Sequence, residues 1–329
     1  MTKQFWEGRK VFLTGATGLL GGWLTAELLA RGADVVALVR DRQLHCMFHR
    51  DRLDQRVTTV QGTIEDGDAM RRILAEYEVQ SVFHLAAQTL VGVAKKDPVG
   101  TLRANVAGTW TLLEAARQIG GAQLILASSD KAYGAAPELP YRETHPLRGE
   151  YPYDVSKSCA DLIGRMYALT YGVPVAITRC GNLFGGGDLN FSRTIPGVIR
   201  ATLAGERFEI RSDGHFVRDF LYVEDAVDAY LQLAERLAGT PSLCGEAFNF
   251  SLGQPQTVLQ IVDRVLGLMA RTDLAPRILN QASSEIREQY LCADLAAERL
   301  GWRPRIGLDE GLRRTIDWYA QHLGGAAGR

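Results

Sequence analysis

Five short runs in the first half of the chain have almost no polar face: KVFLTG (10–15), DVVALV (34–39), SVFHLAA (81–87), QLILASS (123–129) and VPVAITR (173–179). Strands that lack alternation are buried on both faces. Between these runs, apolar residues recur at helical spacing over about 20–31, 70–77, 105–119 and 153–171. Strands alternating with helices make βαβ crossovers, so the pattern predicts an α/β fold with a Rossmann-type, doubly wound parallel sheet over 1–181. The rhythm changes at GGGDLNFSRTIPG (185–197). Shorter strands (RFEIR, FVRDFLYV, AFNFS) and helices near 224–237, 257–270 and 309–321 follow. They predict a smaller, irregular α/β lobe over 182–329, with a possible crossing between lobes near the C-terminus.

Composition narrows the class. The 329 residues are 46% hydrophobic and 23% charged, with a formal net charge of -1. No broad basic field exists to hold nucleic acid or an anionic membrane, so neither is expected as a partner. The five cysteines (46, 159, 180, 244, 292) never fall in C-x-x-C spacing. That argues against a disulfide framework or a structural zinc site, and no metal is expected. The polar start MTKQFWEGRK and the lack of an 18-residue apolar run predict a cytoplasmic protein. The tail GGAAGR (324–329) is expected to be disordered.

Three motifs carry candidate chemistry. TGATGLLGG places Gly15, Gly18 and Gly21 in G-x-x-G-x-x-G spacing, after a strand and at the start of a helix. Such a turn brings backbone N–H groups and a helix N-terminus to a dinucleotide pyrophosphate. The second strand ends in Arg40 and Asp41. Asp suits the ribose hydroxyl of NAD and Arg the 2′-phosphate of NADP, so both cofactors stay open. Tyr153 and Lys157 lie four apart, on one helix face. An ammonium beside a phenol lowers its pKa from about 10, and the pair could take a proton from an alcohol as hydride leaves. The fifth run breaks into Ser129, Asp130 and Lys131, a hydroxyl, a carboxylate and an ammonium at a strand end. His84, inside an apolar run, reads as a core histidine.

At these motifs the chain resembles the extended short-chain dehydrogenase/reductase family, within its group of nucleotide-sugar epimerases and dehydratases. The resemblance runs nearly the whole length, through TGATGLLGG, FHLAAQ (83–88), NVAGT (105–109), SSDKAYG, YPYDVSK, NLFGGGDLN (182–190), VRDFLYVEDAVDAY (217–230) and LGWRP (300–304). It implies a tightly held NAD or NADP, regenerated each turnover, with NAD favoured. Its contacts would be Gly15, Thr17, Gly18, Leu19, Gly21, Arg40, Asp41, Thr63, Ile64, Leu85, Ala86, Ala87, Asn105, Tyr153 and Lys157. For the triplet it implies 4,6-dehydratase chemistry on a nucleoside diphosphate hexose. Ser129 would hydrogen-bond the hydroxyl being oxidised, Tyr153 would take its proton, Lys131 would remove the hydrogen on carbon 5, and Asp130 would protonate the departing 6-hydroxyl. Lys131 must then shed its proton easily and Asp130 must hold one.

The substrate diphosphate needs cationic anchors, for which Arg193, Arg218 and Arg287 are candidates, with Asn182 and Gln88 nearer the sugar. Glu143 is given no chemistry. Apolar residues on the helices near 105–119 and 153–171 (Trp110, Leu112, Leu113, Ala115, Ala116, Ile163, Met166 and Tyr167) imply, by the resemblance, a homodimer built through a four-helix interface. The competing readings are a 4-epimerase, an NADP-dependent keto-sugar reductase and a nucleotide-sensing protein without catalysis.

Overall fold

The computed structural model of the chain describes residues 3–281 and 285–323; the tail at 324–329 lies outside them. Fourteen strands occur among the described residues. They are β1 (Lys10–Thr14), β2 (Asp34–Val39), β3 (Thr58–Gln61), β4 (Ser81–His84), β5 (Gln123–Ala127), β6 (Val175–Cys180) and β7 (Asn182–Phe184), then β8 (Glu209–Ile210), β9 (Val217–Arg218), β10 (Phe220–Tyr222), β11 (Ala247–Phe250), β12 (Gln256–Thr257), β13 (Arg277–Ile278) and β14 (Glu288–Gln289).

Seven of them form one sheet in the order β11-β6-β5-β4-β1-β2-β3. Every pairing in it is parallel. Alternate side chains of β1 feed opposite faces, as a strand requires. Val11 and Leu13 join a core with Leu24 and Leu28 of the helix Leu19–Ala30 and Leu233 of the helix Val223–Gly239. Phe12 joins the other core with Met70, Ile73, Leu112 and Leu113. Helices thus cover both faces, and the fold is the expected doubly wound α/β sandwich.

The reversal of strand order between β1 and β4 opens a crevice at the carboxyl ends of these strands. Small sheets lie beyond those ends: β10-β7, β12-β9-β14 and β13-β8. A third apolar cluster, with Ile195, Val198, Val223, Ile261 and Leu312, supports them.

Three expectations need correction. The chain does not divide cleanly at 181/182. The helix Val223–Gly239 packs beneath the sheet and AFNF (247–250) is its edge strand β11, beside β6. The chain therefore crosses mid-way through the second half, and again near the C-terminus, where Ala296, Leu300 and Trp302 join the core of the sheet. β3 was not expected, because TTVQ is a short, mostly exposed edge strand with no apolar run to announce it. The helix Thr194–Leu203 was also not expected; Pro196 lies in its first turn, where the missing N–H costs nothing.

Candidate active site

The glycine loop closes β1 onto the start of the helix Leu19–Ala30. Gly15 has φ of +81°, and a Cβ there would meet Ala86 N and the Leu85 carbonyl carbon at 2.8 Å. A Cβ on Gly21 would lie 2.0 Å from Gly15 O. These two glycines thus fix the turn and its approach to the β4 loop. Gly18 differs. It is exposed and caps the helix without a side-chain hydrogen bond, and a Cβ there would meet only Gly15 O at 3.4 Å. An uncapped helix N-terminus beside an open glycine is a cradle of donors for phosphate, and it fits a dinucleotide. Thr17 and Leu19 flank it, half-buried.

The remaining expected cofactor contacts surround this loop unevenly. Leu85, Ala86 and Ala87 follow β4 directly, and Ala86 N donates to Thr14 Oγ1 at 3.1 Å. Thr63 and Ile64 follow β3, with Ile64 buried against Gly108. Arg40 and Asp41 lie exposed at the end of β2 and pair with each other at 2.6 Å. Asn105 is buried and fully engaged with protein. It accepts from Gln88 N at 2.6 Å and donates to Gln88 O at 3.0 Å and Ser156 Oγ at 2.8 Å. Both of its amide donors are thus used within the protein. His84 is the core histidine expected: it shares hydrogen bonds with Thr14 and Thr109, and burial lowers its pKa to about 3.

Tyr153 and Lys157 lie in the first turns of the helix Pro152–Tyr171, which Pro152 opens at N1 and Gly172 closes in the left-handed region. A buried ion pair, Asp161 with Arg179 of β6 at 2.8 Å, locks this helix onto the sheet. Lys157 Nζ is 6.0 Å from the Tyr153 ring centroid and donates to Ala127 O, at the end of β5, at 2.8 Å. Burial lowers the Lys157 pKa to about 8. Tyr153 departs from expectation. Burial pushes it up to about 12, against the pull of Arg193 and a hydrogen bond from Ser129. In the protein alone, desolvation of the phenolate outweighs these two influences.

The triplet after β5 folds into a 3-10 turn, Asp130–Tyr133, capped by Ser129, whose Oγ accepts from Lys131 N at 3.2 Å. Ser129 Oγ donates to Asp130 Oδ1 at 3.0 Å. Asp130 is 3% exposed, and among the described residues its Oδ2 has no hydrogen-bond partner. Burial raises the Asp130 pKa, opposed by Lys131, and lowers that of Lys131, opposed by Asp130. A carboxyl that keeps its proton and an amine that sheds one are what acid/base work at neutral pH requires.

Lys131 opens onto a cavity of about 240 Å³ that extends over the small sheets. Asn182, Arg193 and Arg218 line it with Lys131, and Phe208, Phe216 and Val258 add apolar wall. Arg218 is 8% exposed; it donates to the carbonyls of Val217 and Arg287 and approaches Glu285 at 3.4 Å. Arg193 pairs with Asp188 at 3.0 Å. Arg287 is not in this wall: its side chain is 71% exposed and pairs with Asp213 at 3.0 Å, while Arg218 shares the Phe216 ring with it. Gln88 also lies outside the wall, its amide oxygen accepting from Leu90 N.

Sequence reasoning missed Asp154 and Gln289. Asp154 is 3% exposed, lines the cavity beside Lys131, and is raised by burial to about 6. Its place next to Tyr153 was a usable signal. Gln289, wholly buried, receives a hydrogen bond from Lys131 Nζ across 158 positions of sequence, a distance no local pattern reveals.

Comparisons with known proteins bear on this arrangement. Residues 11–250 match the model of the NAD dependent epimerase/dehydratase family. The chain is 33% identical to a CDP-glucose 4,6-dehydratase of Salmonella typhimurium, over 98% of this chain and 94% of that one. It is 30% identical to a UDP-glucose 4-epimerase of Mycolicibacterium smegmatis, over 94% and 98%. Among solved structures it resembles a dTDP-glucose 4,6-dehydratase from Streptomyces venezuelae with NAD bound, at a TM-score of 0.86 and 26% identity, over 96% and 98%.

Proposed function

Because this chain belongs to the NAD dependent epimerase/dehydratase family, we propose that it is a nucleotide-sugar 4,6-dehydratase acting on a CDP-glucose-like nucleoside diphosphate hexose. The observation that carries this reading is the Asp130–Lys131 pair: adjacent at the end of β5 beside Tyr153, the acid buried and the base half-buried, one pKa raised and the other lowered. A 4-epimerase needs an oxidising tyrosine, but it does not need an acid and a base here.

The uncapped helix N-terminus behind Gly15, Gly18 and Gly21 would hold NAD, which when bound would supply reversible hydride transfer. The protein's groups do the rest. Tyr153 Oη, once a cation such as Lys157 stabilises its phenolate against burial, receives the proton of the 4-hydroxyl, with Ser129 Oγ orienting that hydroxyl. The ketone acidifies the hydrogen on carbon 5, and Lys131 Nζ removes it. Asp130 delivers its proton to the 6-hydroxyl, which leaves as water. Arg218 and Arg193 hold the diphosphate, with Asn182 nearer the sugar. Arg287 joins them if the phosphates displace its partner Asp213.

The reading includes a homodimer. Trp110 and Met166 from the expected set are exposed, together with Leu162 and Leu169, whereas Leu112, Leu113, Ala115, Ala116 and Tyr167 are buried within the subunit. Trp110 and the three residues of the helix Pro152–Tyr171 are the apolar face to pair. A monomer in sedimentation at micromolar concentration would contradict this part. We place the enzyme in the cytoplasm: among the described residues no helix is long and apolar enough to cross a membrane, and all five cysteines are free. The test of activity is a panel of CDP-, dTDP-, GDP- and UDP-hexoses followed by mass spectrometry. One nucleotide sugar should lose a water without added cofactor. A product of unchanged mass points to the epimerase, and no turnover of any sugar defeats both.

A further inference from the structure

Lys131 does not pair with the carboxylate next to it. Its Nζ donates instead to Oε1 of Gln289, a neutral amide that is wholly buried. The Nε2 of that amide has no close hydrogen-bond partner among the described residues, and the Tyr141 hydroxyl is the group it acts on.

Gln289 itself is held firmly. It lies on β14, in register with Arg218 of the parallel strand β9. One residue further, Tyr290 O accepts from Tyr141 N at 2.9 Å, and Leu291 N donates to Asp219 Oδ2 at 3.0 Å. At the other end of the segment, Arg287 O accepts from Val217 N and from the Arg218 guanidinium. A single braced segment therefore orients the buried arginine and touches the lysine.

The geometry points to Gln289 as the positioning residue of Lys131: its amide oxygen holds one N–H of the lysine in either protonation state, leaving the lone pair of the neutral amine free for the hydrogen on carbon 5. The inference rests on the reading of Lys131 as the base. A neutral acceptor suits a base where a carboxylate would not. An amide accepts from both the ammonium and the amine, so it orients without adding a negative charge that would retain the proton. The charged groups facing Lys131 are Asp130 beside it, Asp154 from the helix Pro152–Tyr171, Arg218 from β9, and Glu285. Two of these three carboxylates, Asp130 and Asp154, are themselves raised by burial, and Gln289 adds no fourth carboxylate beside the amine.

The experiment compares Gln289→Glu, Gln289→Met and Lys131→Met in the full chain with bound NAD, using whichever nucleotide hexose the panel selects. Two steps are followed in single turnovers: appearance of reduced nicotinamide, and loss of water by mass spectrometry. Gln289→Met should reduce nicotinamide at close to the normal rate yet eliminate water about 10²-fold more slowly, so the reduced cofactor accumulates. In Gln289→Glu the rise of elimination rate with pH should move to higher pH by about one unit or more, because a carboxylate now stabilises the ammonium. Thermal unfolding of each variant checks that it folds, and Gln289→Glu, of the same shape, supplies the pH readout if Gln289→Met does not fold.

The proposal is overturned if elimination in Gln289→Glu keeps the original pH dependence, or if both steps slow equally in Gln289→Met. If Lys131→Met eliminates water at the normal rate, the base assignment falls and the positioning role with it. If Lys131→Met is inactive in elimination and the Gln289 variants are normal, only the positioning role falls.

Discussion

Two strand ends of the same sheet carry neighbouring opposite charges, and they behave differently. At the end of β2, Arg40 and Asp41 have side chains 68% and 62% exposed and bind each other at 2.6 Å. At the end of β5, Asp130 is nearly sealed from water and Lys131 is half-buried; each takes a different partner, Ser129 and Gln289. Solvent screens the first pair, so its attraction is worth little. Burial acts on the second, raising the acid and lowering the base. Adjacent charges in sequence therefore say little about chemistry; the solvation of the strand end decides it.

The strongest way to break this comparison is to remove the buried charges. Asp130→Asn and Lys131→Met should each slow water loss by about 10²–10⁴-fold while nucleotide binding persists, as read by single-turnover mass spectrometry and a binding titration. Normal activity in both variants would remove the β5 end from the elimination step. Next in size is Arg218→Leu. Losing a buried, charge-assisted anchor should weaken nucleoside diphosphate affinity by about tenfold or more, measured by calorimetry.

Much of this contrast was legible in the sequence, and the missing parts have physical causes. Continuous apolar runs announced β1, β2, β4, β5 and β6, because strands buried on both faces cannot hide polar residues. β3 escaped because it is an exposed edge. AFNF was assigned to the wrong lobe because nothing local distinguishes a strand that returns to a distant sheet. Glycine spacing located the cofactor loop, and the triplet Ser129-Asp130-Lys131 located the acid and base candidates. Periodicity could not foresee that burial would push the Tyr153 phenol up, that Arg287 would turn outward to Asp213, or that Gln289 would reach Lys131. Each depends on how the second half folds back over the strand ends.

The same contrast appears in stability against pH. Asp219 is 1% exposed, and burial pushes its pKa up to about 6. A folded pKa raised above the unfolded value of about 3.9 gives stability that is present in full below that value and is lost as pH rises through about 6. Asp219→Asn should flatten this fall between about pH 4 and pH 6 in denaturant titrations. The smallest effect belongs to the exposed pair itself: Arg40→Gln or Asp41→Asn should move Tm by no more than about 2 °C in differential scanning calorimetry.

The central claim is that the buried acid and base remove water from an oxidised sugar. Running the wild-type reaction with CDP-glucose in deuterium oxide tests it most directly. The account predicts a product lighter by one water that carries solvent deuterium at carbon 5, where Lys131 exchanges the hydrogen. A product that keeps its oxygen and shows no deuterium at carbon 5 would contradict it.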